Sequence, residues 1–232
     1  MQEVHPWRRF RLGIKRVFDV LVSGALLVVL SPVYLIVYVL VQSKMGRPAI
    51  FTQQRPGLYG RPFIVRKFRT MVTSTTDCEG NMLGDADRTP AFGHFLRKTS
   101  LDEIPQLVSV FKGDMSLIGP RPLLMQYLPR YNPEQMRRHD MRPGITGWAQ
   151  VNGRNTTKFS ERFRMDVWYV DNWSLRLDVI ILLKTVKRVL RGSGVVTGQS
   201  VDDFDDLGFL TQADSIQTST RQQPDSMSKE GT

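Results

Sequence analysis

The sequence predicts an α+β fold in which a helical membrane segment precedes a mixed helix and hairpin domain. Three observations carry this. An uncharged apolar run at 20–41 follows a basic stretch holding Arg8, Arg9, Arg11, Lys15 and Arg16, the usual signature of a membrane segment. Short β-type runs at 49–53 and 62–68 flank the turn Arg55-Pro56-Gly57-Leu58-Tyr59-Gly60, a hairpin pattern. Apolar residues then recur at helical spacing over 107–111, 159–173 and 175–190.

At 232 residues the chain suits one core with extensions. Its formal charge of +10 is unevenly placed: residues 201–232 hold seven acids against Arg221 and Lys229, so the first 200 residues carry +15. A body that basic faces polyanions, whether anionic lipid, phosphorylated substrates or nucleic acid. The single cysteine, Cys78, excludes an internal disulfide and fits a reducing compartment. The sequence holds no Cys/His cluster of the kind zinc requires.

The apolar run would span about 33 Å as a straight helix, enough for a bilayer core of roughly 30 Å. Ser31-Pro32 interrupts it at the middle, where proline removes a hydrogen bond and clashes with the preceding turn. Both flanks are basic, Lys15 and Arg16 before and Lys44 and Arg47 after, which favours the cytoplasmic side for both ends. The expectation is a re-entrant helix, break and helix at 15–47, with a basic segment at 1–14. A kinked full span is the alternative on hydropathy alone. Asp19, at the entry, is expected to snorkel or to pair with Arg16.

Residues 48–198 should form a domain on the membrane surface. Lys67 and Arg69 share a face at strand period; they suit a solvated surface or a pair of phosphate ligands. Residues 73–90 read as a polar loop over the site, with Asp85 and Asp87 a weak metal signal. A short helix at 92–98 should turn Phe95 and Leu96 inward and deliver Arg97 and Lys98 beside the next stretch. That stretch, Ser100-Leu101-Asp102-Glu103, spells a capping box, followed by Leu107, Val108, Val110 and Phe111 and a stop at Lys112-Gly113. Pro105 blurs the start of this helix. A cap uses one carboxylate, while a second beside it repels the first. Adjacent acids suit a site where one attacks and the other holds a cation or tunes its neighbour.

Arg121 stands between two prolines, which fix its backbone and suit an anion site. A segment at 131–139 reads as amphipathic and helical from about Pro133. In 141–154, glycines permit close backbone approach, Trp148 offers a flat surface, and Gln150, Asn152 and Arg154 alternate like one face of a strand. The helix at 175–190 carries an apolar face edged by Arg176, Lys184, Lys187, Arg188 and Arg191. That pattern suits a membrane surface and a protein core equally. The acidic, Ser/Thr/Gln-rich tail at 199–232 is expected to be disordered.

Six motifs in order now carry a resemblance: Lys15-Arg16-x-Phe18-Asp19 with Ser31-Pro32 downstream, Gln54-Arg55-Pro56-Gly57, Lys67-Phe68-Arg69-Thr70-Met71, Leu101-Asp102-Glu103-x-Pro105-Gln106, Gly119-Pro120-Arg121-Pro122 and Pro143-Gly144-Ile145-Thr146-Gly147. Over residues 15–195 the chain resembles the monotopic phosphoglycosyl transferases, bacterial enzymes that begin glycan assembly on a polyprenyl carrier. The lack of further membrane helices before Lys15 makes it similar to the small form of that family. The resemblance implies that Asp102 attacks the β-phosphorus of a UDP-sugar, releasing UMP and leaving a phosphosugar-aspartyl enzyme, and that polyprenyl phosphate then takes the phosphosugar. It implies that Glu103 helps hold Mg²⁺ and that Arg97, Arg121 and Arg154 surround the phosphates, with Lys67 and Arg69 beside them. It also implies the cytoplasmic face of the bacterial inner membrane and the first membrane step of exopolysaccharide, O-antigen, capsule or glycoprotein glycan assembly. The rivals are a one-step transferase without covalent intermediate and a non-catalytic scaffold that recruits polyanions. Nucleic acid is not expected, since the cations are distributed rather than striped and no helix-turn-helix or RNA-binding signature occurs. No residue is assigned to a particular sugar hydroxyl, and none to self-association.

Overall fold

A computed structural model describes residues 6–72, 87–153, 157–191 and 205–208. Most of the loop expected at 73–90, including Asp85, lies outside them, as do Arg154 and most of the acidic tail.

The chain starts with α1 (Pro6–Val29) and, after Leu30, α2 (Ser31–Met45), bent 62° away from it. Pro32 sits in the first turn of α2, where its missing N–H costs nothing and its fixed φ suits a helix start. The break therefore falls at Ser31-Pro32. No single helix among the described residues is long and apolar enough to cross a membrane, but the bent pair together has the length and composition.

A hairpin follows, β1 (Ile50–Pro56) against β2 (Pro62–Phe68), antiparallel with Ile50 opposite Phe68 and Pro56 opposite Pro62. Then come α3 (Ala91–Lys98), a 3-10 turn (Leu101–Glu103), α4 (Gln106–Lys112) and the short strand β3 (Ser116–Ile118). Further 3-10 turns (Met125–Arg130 and Arg137–Asp140) flank α5 (Pro133–Met136). Strand β4 (Gly144–Thr146) pairs parallel with β3, and α6 (Trp148–Asn152), α7 (Phe159–Asp171) and α8 (Leu175–Leu190) complete the domain. The result is α+β, mostly helical, with two small sheets among the described residues.

The parallel pair was not anticipated. Three-residue strands give almost no period to read, and their pairing depends on backbones that meet across the chain. Gly119, Gly144 and Gly147 make that meeting sterically possible. A Cβ on Gly144 would lie 2.1 Å from the Gly119 nitrogen, and one on Gly147 would lie 2.1 Å from the Gly119 carbonyl oxygen.

The main core gathers Val37, Val41 and Met45 of α2, one stripe at four-residue spacing, with Phe68, Leu96, Leu107, Val110, Ile118, Tyr169 and Ile181. A second cluster joins Tyr127, Tyr131, Phe159 and Phe163. The root of α1 is tied down by polar contacts. Lys15 Nζ donates to Asp178 of α8 at 2.6 Å, both buried, and Asp178 also accepts from the Tyr169 hydroxyl (2.6 Å) and Trp173 Nε1 (3.1 Å). Arg16 donates to the carbonyls of Val110 and Phe111 at 2.6 and 2.8 Å, in the last turn of α4, where a cation is favoured.

Four local expectations are corrected. Asp19 does not pair with Arg16; it is buried and its Oδ1 accepts from the Leu117 amide at 3.0 Å, because the root of α1 packs on protein. The capping box does not form. Ser100 adopts left-handed φ 57° with no side-chain cap, and the first turn after it is 3-10, with α4 starting beyond Pro105. Phe95 is exposed while Leu96 is fully buried, since neighbours on a helix cannot face one way. Gln150 and Asn152 lie on α6, not on a strand. The helix at 175–190 forms as expected, with Asp178 and Ile181 buried and Leu183, Val186 and Leu190 exposed. Of the tail, Asp206 is described: it accepts from the Ser160 amide (3.1 Å) at the start of α7.

Candidate functional site

The site is built on the 3-10 turn Leu101–Glu103. Its left-handed entry at Ser100 turns the chain sharply out of α3, and α4 begins just beyond Pro105. Asp102 and Glu103 are thereby held on a one-turn loop between two short helices. The neighbouring strand β2 supplies Lys67, whose Nζ donates to Glu103 Oε1 at 2.7 Å and lies 3.9 Å from Asp102 Oδ2. The loop after β3 supplies Arg121, whose guanidinium donates to the same Glu103 oxygen at 3.0 Å.

This geometry drives the two acids apart electrostatically. Burial raises Asp102, and the adjacent Glu103 charge adds to the rise, taking its pKa to about 6 against the opposing pull of Lys67, Arg121 and Arg97. Burial also disfavours the charged form of Glu103, but the charges and hydrogen bonds of Arg121 and Lys67 outweigh it and bring Glu103 to about 2. One carboxylate is clamped and firmly ionised; the other is buried and loosely held.

Both acids open into a cleft of about 1210 Å³. Among the described residues its wall carries nine cations, including Lys67, Arg97, Arg121 and Arg138, against Asp102, Glu103 and Asp166, a surplus of positive charge suited to phosphates. Its lining also includes apolar side chains: Leu26 and Leu30 near the bend between α1 and α2, Phe51, Ile145 and Val189.

Among the residues picked from sequence, Asp102, Glu103, Lys67 and Arg121 meet directly. Arg97 lines the same cleft and donates through Nε to the Thr70 hydroxyl at 2.9 Å. Helix α3 comes close enough for this because Gly93 rests on the Thr70 carbonyl, which a Cβ there would approach to 2.0 Å. Arg69 also borders the cleft, but its guanidinium donates to the carbonyls of Met45 (2.9 Å) and Gly46, tying β2 to the end of α2. Arg154 lies outside the described residues. Ser31 and Pro32 sit at the helix break, and the cleft reaches it through Leu30. The sequence reading missed Thr70, Gln150, Arg162, Asp166 and Arg188, all of which line the cleft. Thr70 stands in one of the six motifs, Gln150 on the polar face read for a strand, and Arg162 and Asp166 are four apart on α7, but the sequence reading assigned none of them to the site.

A carboxylate pair with opposed proton affinities, cations from several elements and apolar side chains in one cleft suit phosphoryl transfer. Comparison with known proteins agrees with that chemistry. The model of the family described as bacterial sugar transferase matches residues 10–192. The chain is 52% identical to the uncharacterized sugar transferase EpsL of Bacillus subtilis, over 78% of this chain and 90% of EpsL. It is 40% identical to the undecaprenyl-phosphate galactose phosphotransferase of Salmonella typhimurium and 38% identical to the UDP-glucose:undecaprenyl-phosphate glucose-1-phosphate transferase of Klebsiella pneumoniae. In each case 78% of this chain matches only 41% of the longer relative. On the match to residues 10–192 and on half identity across nearly the whole of EpsL, the chain belongs to the bacterial sugar transferase family.

Proposed function

We propose that this transferase moves a sugar 1-phosphate from a UDP-sugar to polyprenyl phosphate, releasing UMP. The observation that carries the reading is the unequal carboxylate pair in a cation-lined cleft that extends to the apolar bend of the N-terminal helices. The names of the Salmonella and Klebsiella relatives supply the substrate class.

Asp102 acts as the nucleophile. Glu103 is the poorer choice because two cations already engage its Oε1, whereas the nearest cation to Asp102 stands 3.9 Å away. An Asp102 oxygen forms a bond to the β-phosphorus of the UDP-sugar. The bond from that phosphorus to the bridging oxygen breaks, and UMP leaves with the electron pair. The phosphosugar-aspartyl enzyme then loses its acyl phosphate bond to an oxygen of polyprenyl phosphate, which regenerates the free carboxylate. No proton transfer is needed in either step. Lys67, Arg97 and Arg121 stabilise the charge spread over the phosphoryl oxygens.

The oxygen donors fit Mg²⁺. Glu103 Oε2 and the Asp102 carboxylate remain outside the two cation bonds, and no group of three metal-binding side chains occurs among the described residues. That suits an ion which keeps its waters and uses one or two carboxylates with substrate phosphates. Glu103 would hold it, and its charge would offset that of the diphosphate.

The bent helices enter one leaflet from the cytoplasmic face of the bacterial inner membrane, so that a lipid phosphate at the surface meets a soluble nucleotide sugar. The product is the lipid-linked first sugar of an exopolysaccharide or related glycan. The transferase reading is tested by UMP release from a panel of UDP-sugars with polyprenyl phosphate and Mg²⁺. UMP from one sugar, lost on chelation and in Asp102→Ala, is the expected result; silence from folded protein across the panel overturns the reading. Labelling of residues 1–14 from the periplasm would overturn the re-entrant arrangement.

A further inference from the structure

The Pro120-Arg121-Pro122 turn poses a mechanical problem. Two of its three residues have no N–H, so the turn can be fixed from outside almost only through its carbonyls. Each carbonyl is taken by a different element. Pro120 accepts from the Gly144 amide at 3.0 Å, Arg121 from Arg138 at 2.8 Å, and Pro122 from Arg55 at a long 3.5 Å.

Arg138 is the unusual member. It is 2% exposed, and its Nε and one terminal nitrogen donate to a single oxygen of buried Asp166 at 3.1 and 2.6 Å. Its other terminal nitrogen donates to the Tyr131 hydroxyl at 3.1 Å, and the guanidinium stands 5.1 Å from the centre of the Phe163 ring. A buried ion pair of this kind is a poor source of stability. Apolar side chains of similar volume commonly do as well or better. What apolar side chains cannot supply is a directed hydrogen bond to the Arg121 carbonyl.

We propose that Arg138, anchored by Asp166, is a positioning residue that aims the Arg121 guanidinium at Glu103 and the substrate diphosphate. The inference rests on the functional reading above for what Arg121 does, but its geometry stands apart from it. Misplacing a phosphate ligand by about 1 Å can cost on the order of 100-fold in rate.

The test is the apolar replacement R138M/D166L, measured beside Arg121→Ala and the triple variant. If Arg138 acts through Arg121, R138M/D166L unfolds at or above the wild-type denaturant midpoint yet loses about tenfold or more in kcat. It then costs nothing further in the Arg121→Ala background. Full activity in the folded apolar variant, or losses that multiply in the triple variant, overturns the proposal. Should R138M/D166L not fold, Arg138→Lys keeps the charge beside Asp166 and enters the same cycle with the same two outcomes. A crystal structure of the variant decides the point without turnover: Arg121 leaves Glu103 if the proposal holds and stays if it does not. Failure of wild-type protein to release UMP would instead count against the transferase reading.

Discussion

Two lysine–carboxylate contacts of nearly equal length do opposite things in this molecule. Lys15 meets Asp178 at 2.6 Å and Lys67 meets Glu103 at 2.7 Å. At the root of α1, one acid receives three donors, from Lys15, Tyr169 and Trp173, and the group is closed to solvent. In the cleft, two adjacent acids compete for the cations, Glu103 takes two of them at hydrogen-bond distance, and buried Asp102 is left with Lys67 at 3.9 Å. The first arrangement is complete and can only hold the fold together. The second has unspent donors and acceptors, and that surplus is what a substrate can use.

The comparison can be broken at several points. The largest effect is expected for Asp102→Asn, which should cut turnover by at least about 10³-fold and abolish any covalent adduct seen by mass spectrometry; an active variant removes Asp102 from its role. Next, Lys15→Met strands a buried carboxylate and should destabilise by about 3 to 5 kcal/mol in denaturant unfolding, leaving kcat of the folded fraction unchanged. Lys67→Met should do the reverse. It should lower turnover by about 100-fold with under about 1 kcal/mol of stability lost, because Arg121 still holds Glu103. Equal stability losses in the two lysine variants would erase the distinction.

A pH experiment probes the buried polar group beside Arg138. Burial, then the adjacent Arg138 charge, lowers His139 to about 4. The unfolded chain, with an ordinary histidine near 6.5, therefore binds the proton first as pH falls. Stability from this group is complete above about pH 6.5 and drains away toward pH 4, by up to about 3 kcal/mol. His139→Gln should flatten the difference in unfolding midpoint between pH 7.5 and 5. The smallest effect concerns the open side. Ser100 holds φ 57° just before the carboxylates, so Ser100→Gly should stabilise by up to about 1 kcal/mol. A loss of stability would mean that the strained entry is compensated elsewhere.

Legibility from sequence followed the range of the interactions. The hairpin, the helix at 175–190 and the break at Ser31-Pro32 were readable because each depends on neighbours within a few residues. Asp102 and Glu103 stood out because adjacent acids in a basic chain have no economical structural use. The capping box failed although its pattern was correct. A cap requires extended backbone at its first residue, and Ser100 is left-handed. Arg69 looked like a partner of Lys67 by strand period, yet its guanidinium goes to the end of α2, a contact no period encodes.

The sequence by itself determined the fold class, the two carboxylates and the cations fit to face them, because side-chain chemistry and local periodicity are properties of short stretches. Only the tertiary structure decided which cations reach which acid, that Asp102 and Glu103 differ so strongly, and that Arg138 stands behind Arg121. Those outcomes depend on burial and on distances between residues far apart in the chain. Electrostatic energy in a protein is set by such distances and by the exclusion of water, neither of which exists before the chain folds.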